Sequence, residues 1–249
     1  MKRIAFYHLL FFALLLPQLK LHAQNRMDIG AHFAFNRDIS RIIPGDDVVL
    51  QKSRFLGFAG GGFWAYQLPN EQSWLEFNVN YFRTWVTVGS DSDFFSKVSS
   101  SGEEVATFGL AFRHRIRLFT AANGKGLYLS PRAGLELGWV GRPGHGFYIS
   151  SNTPSGGVEI FYEMPIRDDI FTAFALLGAN LEYEFKRGIT LYSRMAYHQG
   201  FQKIFDETIS YTLNNGPQTD LDFFSRGSRW AWEFGLSYPI SKLWQKGDQ

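Results

Sequence analysis

Apolar and polar residues alternate with a period of two through eight stretches of the chain, at 27–36, 55–68, 74–88, 106–119, 127–140, 170–185, 189–201 and 228–239. That period belongs to β-strands whose two faces meet unlike surroundings. In the fourth stretch Phe108, Leu110, Phe112, Ile116 and Leu118 share one face, and Thr107, Gly109, Ala111, Arg113, Arg115 and Arg117 share the other. The fifth sets Leu127, Leu129, Ala133, Leu135, Leu137 and Trp139 against Tyr128, Ser130, Arg132, Gly134, Glu136 and Gly138. The eighth opposes Trp230, Trp232, Phe234, Leu236 and Tyr238 to Ala231, Glu233, Gly235 and Ser237. The intervening segments, 37–54, 69–73, 89–105, 121–126, 142–169, 186–188 and 202–227, alternate long and short, averaging about 22 and about five residues. Tight turns at one end and long loops at the other are the mark of an antiparallel up-and-down transmembrane β-barrel. A soluble sandwich has no reason to keep its long loops together.

The predicted strands run about 10 to 16 residues. Soluble strands average roughly five or six, whereas a tilted strand crosses hydrocarbon in about 9 to 11. Trp64, Tyr66, Trp74, Tyr183 and Tyr238 fall near the turn side, and Trp85, Trp139, Trp230 and Trp232 near the loop side, where aromatic girdles meet the two interfaces. Hydrocarbon offers a backbone N–H or C=O no partner, so such a sheet must close, first strand to eighth. Eight strands leave an interior just wide enough for side chains. The inward set contains six acids, Asp28, Glu76, Glu136, Glu182, Glu184 and Glu233, and five bases, Arg113, Arg115, Arg117, Arg132 and Arg194. Charges taken out of water need partners, so the expectation is a salt-bridged plug. A narrow charged channel is the alternative.

Composition sharpens this picture. Aromatics are 17% of 249 residues and charged residues 19%, below the usual ~25% charged. Lys2 and Arg3, the apolar run 4–16 and Leu21-His22-Ala23 read as a secretory signal peptide (1–23) cut after Ala23. Its apolar core of about 13 residues is shorter than the roughly 20 an anchor helix needs. Without that leader the chain carries 22 basic and 23 acidic residues, so no basic surface argues for nucleic acid. The absence of cysteine excludes disulfides and thiol chemistry.

Several positions depart from the pattern or suggest chemistry. His114 and Arg83 fall on apolar faces, Arg83 near the outer end where it can snorkel or meet lipopolysaccharide phosphate. Pro131, lacking an N–H, sits inside a strand. Gly57, Gly60, Gly61 and Gly62 are followed by no helix pattern, so close packing is favoured over a phosphate loop, and Asn123-Gly124-Lys125-Gly126 reads as a hairpin turn. Of His32, His114, His145 and His198 none has metal-ligand spacing; His198 with Ser193 or Ser210 is the arrangement a hydrolase would need, against interior histidines that are simply paired. Asp46-Asp47, Asp91-Ser92-Asp93, Asp168-Asp169 and Asp220-Leu221-Asp222 lack the spacing of a calcium loop. Phe94-Phe95, Phe147-Tyr148, Phe161-Tyr162 and Phe223-Phe224 suggest rings packed over the barrel mouth or a contact surface.

The junction Ala23-Gln24, the aromatic–Gly strands, 191–200 (LYSRMAYHQG) and 232–239 (WEFGLSYP) resemble the outer-membrane β-barrel family common in Bacteroidetes, similar in architecture to small barrels of the OmpA and OmpX type. The resemblance spans about 24–240; a tail, 240–249 with Trp244, follows the last aromatic strand that assembly machinery reads. It implies a Gram-negative outer-membrane protein with a structural or extracellular-binding role. The implied partners are outer-membrane lipid and lipopolysaccharide, the barrel-assembly machinery and an extracellular ligand or protein. No catalytic, cofactor-binding or metal residue is expected; a lipid-modifying enzyme and a small pore are the alternatives.

Overall fold

The computed structural model describes residues 26–43, 51–52, 57–89, 99–120, 125–141, 147–153, 156–162, 170–185, 188–213 and 216–240. The leader 1–23 and the tail beyond 240 lie outside them, as do Asp46-Asp47, Asp91-Ser92-Asp93, Phe94-Phe95, Asn123-Gly124, His145 and Asp168-Asp169. The side chains of Trp85, Phe147-Tyr148 and Phe161-Tyr162 lie outside the description as well. The described chain forms strands β1 (Met27–Ile43), β2 (Gln51–Lys52), β3 (Gly57–Gln67), β4 (Ser73–Gly89), β5 (Ser99–His114), β6 (Ile116–Thr120), β7 (Gly126–Gly141), β8 (Phe147–Thr153), β9 (Gly156–Tyr162), β10 (Ile170–Glu184), β11 (Thr190–Gly200), β12 (Phe205–Leu213) and β13 (Gln218–Pro239).

Eight of these close an antiparallel barrel in the order β1-β3-β4-β5-β7-β10-β11-β13, with β6 continuing β5 along β7. Closure runs from Asp28 opposite Pro239 to Asp38 opposite Arg229. Within the barrel wall each described strand is paired on both sides, which meets the backbone's need for partners. At the tight end, the β3–β4 turn has Leu68 N–H donating to Ser73 O (2.8 Å) and Glu71 N–H to Leu68 O (2.9 Å), while Asn70 Oδ1 accepts from Ser73 N–H (2.9 Å). Glu71 takes φ 60° here, and Gly188 takes φ 81° in the β10–β11 turn.

The expected strand centres hold, but the long connections are shorter than expected. β1 runs on through 37–43, β5 begins at Ser99, and β13 begins at Gln218. The segment 142–169 contains β8 and β9, and 202–227 contains β12. Beyond the barrel wall β13 pairs with β12, β12 with β9 and β9 with β8, so the same sheet extends out of the barrel at its loop end. The junction is a bulge. β1–β13 pairing shifts register between Asp38 and Ser40, where Gly227 adopts φ 68°.

Two of the awkward positions resolve each other. β5 stops at His114, and its pairing with β7 ends at Arg113–Arg132 and resumes in β6 at Ile116–Leu129. Pro131 lies opposite that gap, where no ladder N–H is required. His114 sits at the turn end, half-buried, with Nδ1 3.0 Å from Ser73 Oγ.

Candidate functional site

The wall sorts residues as the alternation requires. Phe33, Phe58, Leu110, Leu135, Phe171, Leu177, Leu181, Met195, Trp232 and Leu236 face outward, with Leu135 64% and Phe171 73% exposed. Rings line neighbouring positions: Phe33 stacks on Phe234 at 5.6 Å and Trp232 lies 5.0 Å from Phe234. Of the residues assigned to the girdles, Trp230, Trp232 and Tyr238 stand exposed on the outer wall. Trp74 is not among them. It is fully buried in the lumen, because position 74 shares the parity of Glu76 rather than of Leu75.

The lumen is filled with charge. At the turn end Arg26 binds Asp28 (2.7 Å) and Glu184 (2.5 Å). Arg115 joins Glu184 (2.9 Å) to Glu182 (2.7 Å), and Arg113 joins Glu182 (2.7 Å) to Glu76 (3.0 Å). Glu76 is the hub: Arg132 approaches at 2.8 Å and Arg194 at 3.4 Å, and Arg194 goes on to Glu233 (3.0 Å). Asn180 Oδ1 accepts from Arg194 Nε (2.8 Å). The guanidiniums of Arg26, Arg113 and Arg115 lie 5.1 to 5.6 Å from the Trp74 ring centre, so the ring's negative face adds to their stabilisation.

Nearer the loop end Glu136 takes Asn80 Nδ2 (3.1 Å), His198 Nδ1 (3.1 Å) and Arg229 (3.7 Å). His32 Nε2 lies 3.8 Å from Glu233. Above this layer the filling turns apolar. Phe82, Val105, Val140, Phe174 and Ile204 form a buried cluster, and Arg229 sits 3.6 Å over the Phe82 ring. Gly227 is required there twice over: its φ is positive, and a Cβ would approach Ile204 Cδ1 to 2.7 Å.

Ten of the eleven residues placed inward by parity are there; Arg117 is exposed, beside the Tyr128 ring at 6.0 Å. A register shift between Arg117 and Phe119 carries that end of β6 away from the lumen. Sequence reasoning missed Arg26 and Arg229. Arg229 has the parity of Glu233 and is visible in the alternation; Arg26 precedes the first periodic residue and gives no such signal. With these exchanges six arginines meet six carboxylates.

Other candidates separate. Arg83 pairs with Glu104 (3.2 Å), its direct cross-strand neighbour, at a position the alternation assigns to a loop. Ser193 and His198 lie on opposite faces of β11. The Ser193 hydroxyl accepts from Trp232 Nε1 on the outer wall (2.9 Å), while Ser210 donates to Asp220 (2.7 Å) on the projecting sheet. No Ser–His pair therefore forms at these positions. Hydrogen bonds from Gln218 and Ser210 hold the Asp220 carboxyl below its ordinary pKa, and Asp222 accepts from Thr208 (3.1 Å). Both carboxylates are thus used by neighbouring strands. Leu221 and Phe223, between and beyond them, are buried. Among the described residues no group of three or more His, Asp or Glu is placed to hold a metal. A Cβ on Gly61 would strike Asn80 Oδ1, the Val79 carbonyl and His32 Nε2, the close packing expected of that glycine.

The geometry defines a class: a closed eight-stranded barrel, apolar outside and ionic within. No protein-family model matches the sequence, and no characterised protein's sequence matches it. Among solved structures the chain is similar to the outer membrane protein OprG from Pseudomonas aeruginosa (11% identity, 86% of this chain and 95% of that one, TM-score 0.43). It is also similar to a major outer membrane protein from Thermus thermophilus (12%, 86% and 98%, TM-score 0.42) and to Neisserial surface protein A (13%, 86% and 96%, TM-score 0.38).

Proposed function

We propose that this chain is an outer-membrane β-barrel of a Gram-negative bacterium, of the kind common in Bacteroidetes, exported by a leader cut after Ala23. In this reading it is anchored by its wall, closed to ions by its lumen, and serves as a non-catalytic binding or structural protein through the sheet projecting at its loop end. The observation that carries the reading is the inverted polarity of the wall. Buried carboxylates and guanidiniums occupy the centre while Phe33, Phe58, Leu135, Phe171 and Leu177 stand exposed around the belt. In water so large an apolar surface is a liability; against acyl chains it is the favoured side. The separation of Ser193 from His198 supports a binding role over lipid chemistry.

The test is the folding requirement of the leaderless chain. It is expected to fold only in detergent or bilayer, and to migrate differently on a gel before and after boiling. A monomer that stays folded in plain buffer overturns the reading. Protease added to whole cells should cut within 37–54, 89–105, 142–169 or 202–227; protection of all four would reverse the orientation.

A further inference from the structure

On the outer wall, where the barrel gives way to the projecting sheet, the β1–β13 bulge opens a cavity of about 140 Å³ lined by Ile39, Tyr197, Gln199, Phe224, Arg226 and Ser228. That is several times what one water occupies. Its floor is held rigidly. Ser228 Oγ accepts from Gly200 N–H (3.0 Å) and from Gln199 Nε2 (3.2 Å), and Gln199 Oε1 accepts from the Tyr197 hydroxyl (2.7 Å). Gly200 packs so tightly under the Arg226 carbonyl that no Cβ would fit. The Tyr197 ring lies 5.0 Å from Trp230, the outer girdle residue, so the cavity stands at the height of the headgroups.

One cation lines it, and a second stands two residues before Ile39 on the same strand. Arg226 is exposed, and so is Arg37, which pairs with Trp230 across the β1–β13 ladder. Neither has a hydrogen bond or ion pair among the described residues, unlike the nearby Lys203, which is engaged with Asp206 (3.0 Å) and lies over the Phe224 ring. Every arginine of the lumen is paired with a carboxylate, and Arg83 on the wall is paired with Glu104. Two unmatched guanidiniums at one quadrant of the rim, beside a cavity that is half aromatic and aliphatic, call for an anion attached to something apolar.

We infer that this cavity binds the phosphorylated headgroup of an outer-leaflet lipid, with Arg226 and Arg37 donating to phosphate and the first acyl carbons lying over Ile39 and Phe224. The inference rests on the membrane reading above and deepens it by naming a lipid contact. A free phosphate ion shares the charge but not the apolar part, which Ile39 and Phe224 serve.

The experiment uses the full barrel reconstituted in phosphatidylcholine bilayers doped with diphosphoryl lipid A, released into mild detergent, with bound lipid counted by native mass spectrometry. The wild type is expected to retain one lipid A. Replacing Arg226 by Ala, or Arg37 by Ala, should weaken retention about fivefold each and about 25-fold together. Arg226→Lys should restore part of it, and Arg83→Ala should leave it unchanged. Equal retention by the double variant overturns the site. Complete displacement by millimolar inorganic phosphate, with no preference for the lipid, overturns the lipid assignment. Vesicle flotation of the same samples separates the two levels: a barrel that floats but keeps no lipid A defeats this inference alone, whereas one that folds and stays soluble without lipid defeats the membrane reading as well.

Discussion

Glu76 shows most clearly what a single residue does in this lumen. Arg113, Arg132 and Arg194 all reach its carboxylate, and it is fully buried. Moving such charges out of water is costly, and only the mutual geometry offsets it. Glu76→Ala leaves three guanidiniums short of a partner and is expected to lower stability by about 3–5 kcal/mol, read from urea unfolding in detergent. Glu76→Gln keeps the shape and one acceptor and should fall between the two. Gly61 offers a matched pair of smaller tests. Gly61→Ala drives a methyl into Asn80, the Val79 carbonyl and His32, and overpacking of this kind costs about 1–3 kcal/mol. Gly60→Ala, one position away on the outer face with its nearest neighbour at 3.7 Å, should be nearly silent. A similar loss for both would mean that the strand resists any side chain and that lumen packing is not the reason for the glycine.

Strands carry the membrane argument, and one substitution separates it from its rivals. Leu135 lies midway along β7 on the outer wall, opposite Leu110 of β5 and Ala175 of β10. If that wall faces acyl chains, Leu135→Arg should destabilise the bilayer-folded protein by about 2–4 kcal/mol, and the same change near a girdle by about 0–1. A wall facing water would tolerate both alike. Eight strands, their order and nearly all inward charges follow from parity, since a sheet between lipid and a polar interior must alternate strictly. The strands projecting beyond the barrel do not follow as readily. β12 and the first half of β13 alternate too, with Leu221 and Phe223 buried against exposed Asp220 and Asp222. There the contrast is between a small core and water, and a strand length matched to the membrane stops short of it, at 228. Arg117 departs for a different reason: parity cannot foresee a bulge, and one lies between it and Phe119.

Taken whole, the molecule is a wall with two successive seals. Ion pairs run without a break from Arg26 at the turn end to Glu233, with Arg194 linking Glu76 to that upper layer. Above them Phe82, Val105, Val140, Phe174 and Ile204 close the mouth, held down by Ile204 N–H donating to Ser225 O (2.9 Å). An ion entering from outside meets the apolar layer first and loses its hydration with nothing to replace it. One entering from the turn end meets carboxylates and guanidiniums already paired with one another, and must break a pair to advance. The wild-type barrel should therefore be electrically silent in planar bilayers. Because either seal alone blocks the path, the variants must be graded. Phe82→Ala with Phe174→Ala removes the apolar layer and should leave the bilayer silent, because the ionic layer is intact. Adding Arg194→Ala and Glu76→Ala opens the ionic layer while conserving net charge and should produce small, discrete conductance steps. Steps already present in the wild type would mean that the pairs exchange fast enough to pass ions, and the barrel would then be a pore whose filling selects rather than seals.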